Sequence, residues 1–485
     1  MTFMDAGSWS GKVFTGSWVA GGAGDAPVIE PATGEELERS GRASAADASD
    51  AAERAVEAQR SWAQLPYTER AAVLRRAGDL WRQHASDVRE WLVREAGSIP
   101  PKAEVEIEFA ASACYDAAGL ASLAIGEVLP TTMPHISLTR RVPIGVIGII
   151  SPFNFPLILS IRAVAPALAL GNAVILKPDP RTAVCGGVTL ARIFEDAGLP
   201  AGVFSVLPGG VEVGEAMIGE PHIGLVSFTG STRVGRRVAA LAAERLKRVH
   251  LELGGNSALV ILDDVDPEMA ASVGAFGSFN HQGQICMTTG RHIVARPIVD
   301  RYSQALGEHA RNLPVGNPAT EQVALGPLID DGQRDRVHEM VTASVSAGAR
   351  LVEGGTYSGR FYRPTVLADI PTEAPAYAEE VFGPVAPIVA FDTIDEAVEL
   401  AGAGAYGLAL GVLTGDVMRA LEIAGRIPAG IVHVNDQTVG DEVVNPFGGV
   451  RDTGGSRLGG VQANLETFTV TQWVTLRSTL PQYPF

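Results

Sequence analysis

From Arg140 onward, short runs of β-branched and apolar residues alternate with stretches of helical periodicity, and this alternation narrows the range of possible folds. The runs RRVPIGVIGII, NAVILKP, VFSVLPG and LVSFTG are separated by stretches such as TAVCGGVTLARIFEDAG. Strands that alternate with helices form βαβ units, whose strands pair in parallel. The sequence therefore predicts an α/β protein with a Rossmann-like parallel sheet.

A second series of the same kind begins near Gly254. Its strand candidates are SALVILDD, RHIVARPIV, GARLVEGG, VAPIVAFD, LALGVLT and GIVHVND, with helical pieces between them. The chain has 485 residues, more than one hydrophobic core usually organises. We therefore expect another α/β domain, with room for a cleft between domains.

The flanking segments have other patterns. Residues 44–122 carry apolar side chains at helical spacing and predict amphipathic helices, whereas GGAGDAP near the start is typical of a turn. The tail from Phe468 to Leu480 alternates β-formers with polar residues. It predicts an edge strand that can pair with a neighbouring subunit.

The charge balance argues against two classes of partner. The formal net charge is -17 and the sequence pI is about 5.0, so the chain repels nucleic-acid phosphates and anionic membrane surfaces. The first residues lack a basic segment followed by an apolar one, and no apolar run reaches the roughly 18 residues that span a bilayer. The longest apolar run, Val142 to Ile150, predicts a buried strand.

Only three cysteines occur, at positions 114, 185 and 286, without the clustering with histidine that holds zinc. We therefore expect no structural metal and no disulfide, and a cytoplasmic location that keeps the thiols reduced. Cys114 and Cys185 lie on helix-like stretches and are expected to be buried and inert. Cys286 follows a glycine-containing turn in NHQGQICMTTG, where a backbone can approach a ligand closely.

A lone cysteine is usually inert, so a reactive Cys286 needs support from other segments. In VHLELGGN, Glu252 lies in a strand-like run; it is either a solvated residue on an edge strand or a general base whose pKa burial has raised. In SPFNFP, Asn154 either bonds its own turn or donates, with the backbone N–H of Cys286, to an oxyanion.

Two further segments have the pattern of a cofactor site. In LVSFTGSTRVGRRVAA, a strand leads through Gly230 and Ser231 into a helix, whose first N–H groups can bind a pyrophosphate. In NAVILKP, a strand ends at Lys177, which can hydrogen-bond ribose hydroxyls. The alternative interpretations are an ordinary glycine turn and a solvated lysine, since the GxGxxG pattern is missing.

Taken in order, SPFNFP, NAVILKP, FTGSTRVG, LELGGN, GQICMTTGR, EEVFGPV and NPFGG resemble the motif set of the aldehyde dehydrogenase superfamily. The segments GKVF, KPDPRTAV, HQGQICMTTGRHIV, VHVNDQ and QYPF are most similar to those of benzaldehyde and other aromatic aldehyde dehydrogenases. The resemblance implies NAD(P)-dependent oxidation of an aldehyde, such as benzaldehyde, to a carboxylic acid through a thioester.

The resemblance also implies roles for individual residues. Cys286 is the nucleophile, Glu252 the general base and Asn154 the oxyanion donor. The residues that it implies for cofactor binding, with NAD expected and NADP possible, are Lys177, Gly230, Ser231, Val234, Phe153, Glu380 and Phe382. Without the family, Glu379 and Glu380 are interpreted as a solvated pair before a turn.

The same resemblance implies the domain organisation of the aldehyde dehydrogenase fold. Residues 1–122 and 144–253 form an NAD(P)-binding domain, and residues 254–450 form the catalytic domain. Residues 123–143 and 451–485 form a small β flap and a C-terminal strand that join subunits into a homodimer or homotetramer.

Three positions depart from the family pattern. Asp179 and Pro180, followed by Arg181, stand where many NAD-preferring relatives have a small residue and then a glutamate for the ribose 2′-hydroxyl, so the choice between NAD and NADP stays open. Phe153 replaces a frequent tryptophan, and the segment after PFGG continues through Val450 to Arg451. We expect the latter two changes to alter packing and leave the chemistry intact.

Other functions are compatible with the same groups. A CoA-acylating semialdehyde dehydrogenase would transfer the acyl group to CoA, but Glu252 favours water as the acceptor. A thiol esterase would use Cys286 and Glu252 without redox chemistry, and a binding protein would use neither.

Overall fold

A computed structural model describes residues 3–123 and 126–485. Residues 1 and 2, in the predicted NAD(P)-binding segment, and residues 124 and 125, in the predicted flap, lie outside the described residues.

The helices are numbered in chain order. Their bounds are α1 Ala6–Trp9, α2 Ala45–Gln64, α3 Tyr67–Gln83, α4 Ala85–Ala96, α5 Pro100–Leu120, α6 Pro156–Ala169, α7 Thr189–Asp196, α8 Val211–Gly219, α9 Thr232–Ala243, α10 Pro267–Phe279, α11 Val299–Asn312, α12 Asp331–Ser346, α13 Pro375–Ala378, α14 Ile394–Gly402, α15 Val417–Ala424 and α16 Val461–Phe468.

The strands follow the same convention. Their bounds are β1 Lys12–Phe14, β2 Trp18–Ala20, β3 Asp25–Ile29, β4 Glu36–Gly41, β5 Val128–Leu129, β6 Ile136–Pro143, β7 Val146–Ile150, β8 Ala173–Lys177, β9 Phe204–Val206, β10 Ile223–Thr229, β11 Arg248–Glu252, β12 Ser257–Ile261, β13 Thr289–Ala295, β14 Arg350–Glu353, β15 Tyr357–Ser358, β16 Phe361–Tyr362, β17 Thr365–Ala368, β18 Val385–Phe391, β19 Ala409–Leu413, β20 Ile431–Val434 and β21 Thr469–Leu476.

A seven-stranded sheet has the order β11-β10-β7-β8-β9-β1-β2. The strands β11, β10, β7, β8 and β9 are parallel, as the alternation of strands and helices predicts. The antiparallel hairpin β1–β2 extends the sheet beside β9, and β3–β4 form a separate hairpin. These N-terminal strands were not predicted because they are short and contain charged and turn residues that hide a period of two.

A second seven-stranded sheet has the order β14-β17-β18-β13-β12-β19-β20. All its pairs are parallel except β14 with β17. The predicted strand segments from residue 257 onward are present, and β17 was missed because its TVLA run is too short to show periodicity. Both sheets confirm the predicted α/β class.

The predicted single strand from Val142 to Ile150 is wrong, because the chain leaves one sheet and enters another inside this run. Val142 and Pro143 end β6, whereas β7 begins at Val146. Gly145 has φ +122°, a conformation that favours glycine, and Pro143 has no N–H to continue a ladder. The buried strand is β7 alone.

The C-terminal strand β21 pairs antiparallel with β6 along its whole length, and β5 completes this three-stranded sheet. β21 lies at the edge of the sheet, and Val470, Trp473 and Leu476 are exposed. Across residues 3–123 and 126–485, no helix combines the length and apolar character that crossing a bilayer requires.

Candidate active site

Four predicted site residues lie at one edge of the first sheet because the strands that carry them run in parallel. Lys177 ends β8, and Glu252 ends β11. Asn154 and Gly230 follow β7 and β10 within a few residues. The registers pair Ile150 with both Lys177 and Phe228 and pair Thr229 with Glu252, so the strand ends are level. In open α/β sheets, ligands bind at this carboxyl edge.

The loop that carries Cys286 comes to this edge from the other sheet. It begins with a tight turn in which His281 and Gln282 have positive φ, and it ends where β13 starts. The side-chain amide of Asn154 donates a 2.8 Å hydrogen bond to the backbone carbonyl of Gln284. This bond connects the loop after β7 with the loop of Cys286.

Cys286 is half-buried and packs against an apolar cluster. The members of that cluster include Ile285, Met287, Leu408, Phe447 and the partly buried Phe155, Ile431 and Val439. A Cβ at Gly255 would lie 2.2 Å from the carbonyl oxygen of Cys286, so only glycine allows this close approach. The GG pair of LELGGN thus brings the segment after Glu252 against the cysteine loop.

Burial raises the pKa of the Cys286 thiol to about 12, and the carboxylates of Glu380 and Glu252 act in the same direction. A thiol in this environment is protonated at neutral pH. These surroundings act against ionisation of the thiol. A positive charge brought in with a ligand would lower this pKa.

Glu252 is buried, with 5% of its surface exposed. Glu252 lies at the end of the edge strand β11, as the interpretation of a solvated edge-strand residue expects. Its side chain, however, is not solvated. Among the described residues, neither carboxylate oxygen has a hydrogen-bond partner, and burial raises the pKa of the group well above its usual value. A Cβ at Gly448 of the NPFGG motif would lie 2.8 Å from Oε1. The loop that contains Gly448 therefore lies directly against the Glu252 carboxylate.

The EEVFGPV motif reaches the same edge of the sheet. Glu380 Oε1 accepts a 3.0 Å hydrogen bond from the backbone N–H of Gly255, and burial raises the pKa of Glu380 to about 7. Phe382, at φ +55°, makes an edge-to-face contact with Phe153 at a centroid distance of 5.9 Å. The prediction of a solvated pair is right for the exposed Glu379 and wrong for Glu380.

The predicted cofactor residues form a cradle at the ends of β8 and β10. Ser231 caps the twelve-residue helix α9 by accepting from the N–H of Val234, which is itself exposed. A Cβ at Gly230 would lie 2.6 Å from the Phe228 ring. Lys177 is buried rather than solvated; burial lowers its pKa, and the nearby Asp179 and Glu212 raise it. A helix N-terminus and a lysine at the same edge of the sheet fit the polar half of a dinucleotide.

Arg181 is fully engaged by other side chains. It forms a two-pronged ion pair with Asp179, at 2.9 and 2.8 Å, and a third bond of 2.7 Å to Asp330. Its guanidinium lies 4.2 Å from the centre of the Phe153 ring. Arg451, another departure from the family pattern, holds a surface loop by donating to the carbonyls of Gly402 and Gly404.

A buried ion pair that was not predicted from the sequence lies behind the segment of Asn154. The Lys102 ammonium bonds Glu106 and donates to the backbone carbonyl of Asn154 at 2.8 Å. The second Glu106 oxygen accepts from the N–H groups of Leu157 and Ile158 and so caps α6. The spacing of Lys102 and Glu106, four residues apart on a helix, was the available signal.

Arg162 was also missed. It lies buried on α6, is paired with Asp441, and its guanidinium lies 4.4 Å from the centre of the Phe447 ring. Its Nε and Nη1 have no hydrogen-bond partner among the described residues. One arginine in the apolar run PLILSIRAVAPALA was a signal for a functional position, since an unused charge there is costly.

The other two cysteines are buried, as predicted: Cys114 on α5 and Cys185 in a π-helical turn over residues 184–188. In the described part of the chain, no group of three or more His, Cys, Asp or Glu side chains is arranged to hold a metal ion.

Known proteins match this chain over nearly its whole length. Residues 18–474 match the model of the aldehyde dehydrogenase family. A vanillin dehydrogenase of Amycolatopsis sp. is 60% identical over 100% of both chains. The NAD(+) benzaldehyde dehydrogenase of Pseudomonas putida is 47% identical over 98% of each.

Solved structures agree with these matches. The salicylaldehyde dehydrogenase of Pseudomonas putida, complexed with salicylaldehyde, superposes with a TM-score of 0.94 at 34% identity and covers 98% of this chain and 99% of its own. The betaine aldehyde dehydrogenase of Staphylococcus aureus in complex with NAD+ gives 0.95 at 28% identity, over 100% and 97%.

The predicted aldehyde dehydrogenase fold is thereby confirmed, and the seven motifs that carried the resemblance lie within the region that the family model matches. With its parallel sheets, its cysteine loop and relatives that match from end to end, this chain belongs to the aldehyde dehydrogenase family.

Proposed function

We propose that this protein oxidises aromatic aldehydes to carboxylic acids with NAD. The observation that carries the proposal is the packing of Cys286 against an apolar cluster that includes the rings of Phe155 and Phe447. An aromatic substrate fits such surroundings, because rings pack favourably against rings. Relatives named for vanillin, benzaldehyde and salicylaldehyde support the same substrate class.

The first stage of the reaction is addition to the carbonyl carbon. After the thiol proton of Cys286 has passed to solvent, its sulfur forms a C–S bond to the carbonyl carbon while the carbonyl electron pair moves to oxygen. The amide of Asn154, which already contacts the cysteine loop, and the backbone N–H of Cys286 stabilise that oxygen. When bound, the nicotinamide cofactor supplies the hydride acceptor for the oxidation.

The second stage is hydrolysis of the thioester on Cys286. Glu252 takes a proton from water as the water oxygen bonds to the acyl carbon, and the C–S bond then breaks with its electron pair on sulfur. A raised pKa suits this role, since a general base is most effective near the working pH. Water is therefore the expected acyl acceptor rather than CoA.

The charges around Lys177 favour NAD over NADP. Asp179 and Glu212 lie close enough to raise the pKa of Lys177. Both carry negative charge, which repels a 2′-phosphate. Arg181 has its guanidinium bound to Asp179 and Asp330 and is not free to attract one. The negative charge of Asp179 thus replaces the negative charge of the glutamate that many relatives have one residue later in the chain.

We further propose the domain division that the resemblance implies, with residues 1–122 and 144–253 binding cofactor, residues 254–450 carrying the nucleophile, and residues 123–143 and 451–485 joining subunits. The first sheet is built from strands between residues 12 and 252 and the second from strands between residues 257 and 434. The exposed edge of β21 supports assembly into homodimers or homotetramers.

The test is steady-state reduction of NAD and of NADP with benzaldehyde, 4-hydroxy-3-methoxybenzaldehyde, 2-hydroxybenzaldehyde and propanal. We expect the aromatic aldehydes with NAD to give the highest kcat/KM and the free acid as product. A clear preference for propanal would overturn the substrate class. Acyl-CoA formed with added CoA, or ester cleavage without any cofactor reduction, would overturn the reaction.

A further inference from the structure

His250 and Glu252 occupy alternate positions on β11, and their side chains therefore point to the same face of the sheet. Both are buried, with 2% and 5% of their surfaces exposed. His250 Nε2 lies 3.7 Å from Glu252 Oε1. Neither atom has a hydrogen-bond partner among the described residues. Two buried polar atoms that face each other without partners indicate an interaction completed at another stage of the reaction cycle.

Ser227 orients the His250 ring from the neighbouring strand. The two residues are in register between β10 and β11, and Ser227 Oγ lies 3.0 Å from His250 Nδ1. When the hydroxyl donates to Nδ1, the ring proton is on Nε2, the nitrogen that faces Glu252. Burial, together with the charge of Arg162, lowers the pKa of His250 to about 3. The ring is thus a neutral donor at physiological pH.

Among the described residues, none of the other charged groups around Glu252 hydrogen-bonds its carboxylate. Arg162 on α6 pairs with Asp441, and Arg457 donates to the carbonyls of Gly449 and Ser456. Arg162 and Arg457 lower the pKa of Glu252 from a distance and Asp441 raises it, but burial outweighs them. The carboxylate of Glu252 also raises the pKa of the Cys286 thiol. On β11 itself, His250 is the neighbour of Glu252 whose Nε2 has no hydrogen-bond partner among the described residues.

We infer that His250, oriented by Ser227, is a positioning residue that donates its Nε2–H to the ionised Glu252 carboxylate and holds it ready for the hydrolytic water. The inference rests on the proposed function, in which Glu252 takes the water proton. A hydrogen bond to the ionised form favours that form, so His250 offsets part of the effect of burial.

The test compares His250→Leu with His250→Gln, whose amide can restore a donor at nearly the same place. We expect His250→Leu to move the acid limb of the kcat–pH profile upward by about one pH unit, which lowers kcat about tenfold at pH values on that limb. The amplitude of the pre-steady-state NADH burst stays at one per site, because Glu252 acts after hydride loss. His250→Gln restores most of the rate.

An unshifted acid limb, with kcat reduced equally at every pH, would overturn this role for His250. Ser227→Ala is the second variant and serves if His250→Leu does not fold. A smaller upward shift of its acid limb supports the role of His250, and an unchanged kcat–pH profile overturns it. Absence of NADH formation by the unmodified enzyme with every aromatic aldehyde would instead overturn the proposed function, so the two failures are distinguishable.

Discussion

The side chain of Asn154 is bonded to the backbone of Gln284, two residues before Cys286, over a distance of 2.8 Å. Asn154 belongs to the connection between β7 and α6, whereas Gln284 belongs to the loop that precedes β13. The bond therefore joins the two seven-stranded sheets at the proposed site of reaction. It also fixes the direction of the amide that is expected to meet the substrate oxygen.

Replacement of Asn154 by alanine removes that amide. We expect Asn154→Ala to lower kcat for an aromatic aldehyde by about 10²–10³-fold, the usual effect of losing one oxyanion donor. Asn312→Ala, at the exposed end of α11, is the matched control and keeps full activity. Steady-state kinetics with far-UV circular dichroism tests this; full activity of Asn154→Ala would contradict the role.

The high pKa of Cys286 predicts how the free enzyme reacts with iodoacetamide. Since only the thiolate reacts, alkylation accelerates about tenfold per pH unit between pH 7 and 10. Glu380→Gln removes a carboxylate that raises this pKa and speeds alkylation at pH 9, whereas Glu379→Gln, at the exposed neighbour, does not. Mass spectrometry of the Cys286 peptide measures both effects. A plateau near pH 8.5 would show an unperturbed thiol.

The buried pair of Lys102 and Glu106 predicts a large stability effect. Lys102→Met leaves the Glu106 carboxylate buried without its cation, so the free energy of unfolding falls by about 3–5 kcal/mol. Arg89→Met, which breaks the exposed pair with Glu104, leaves the melting temperature nearly unchanged. Thermal unfolding followed by circular dichroism makes the comparison, and equal shifts for the two variants would refute it.

Asp179 is expected to decide between the two cofactors. Asp179→Asn removes a negative charge near Lys177 and weakens the ion pair with Arg181. The NADP/NAD ratio of kcat/KM therefore rises about tenfold, which corresponds to about 1.4 kcal/mol. Asp330→Asn leaves the two-pronged pair with Asp179 intact and changes the ratio less. Parallel kinetics with both cofactors tests this, and a wild-type preference for NADP would contradict it.

The exposed Trp473 on β21 predicts where subunits meet. We expect the unmodified chain to elute as a dimer or tetramer and Trp473→Lys to shift the population towards monomer. Leu246→Lys, an equally drastic change at an exposed leucine in the turn after α9, should leave the assembly unchanged. Size-exclusion chromatography with light scattering distinguishes these outcomes. A monomeric wild type would refute the flap as an interface.

The sequence determined the elements whose pattern is local. Parallel strands such as β7, β8 and β12 are short, buried and apolar on both faces, which makes them visible without any partner. Hairpins such as β1–β2 and β3–β4 are stabilised by pairing rather than by composition, so their residues gave no signal. The motifs around Cys286, Glu252 and Asn154 are likewise local and were recognisable as a set.

Only the tertiary structure decided which groups meet and in what surroundings. The raised pKa values of Cys286 and Glu380, the buried state of Lys177 and the pairing of Arg181 depend on neighbours far away in the chain. Desolvation and Coulomb energy are set by distances in space, and residue order does not encode those distances directly. For this reason the sequence supplied the reacting groups, while the fold supplied their protonation states and their orientation.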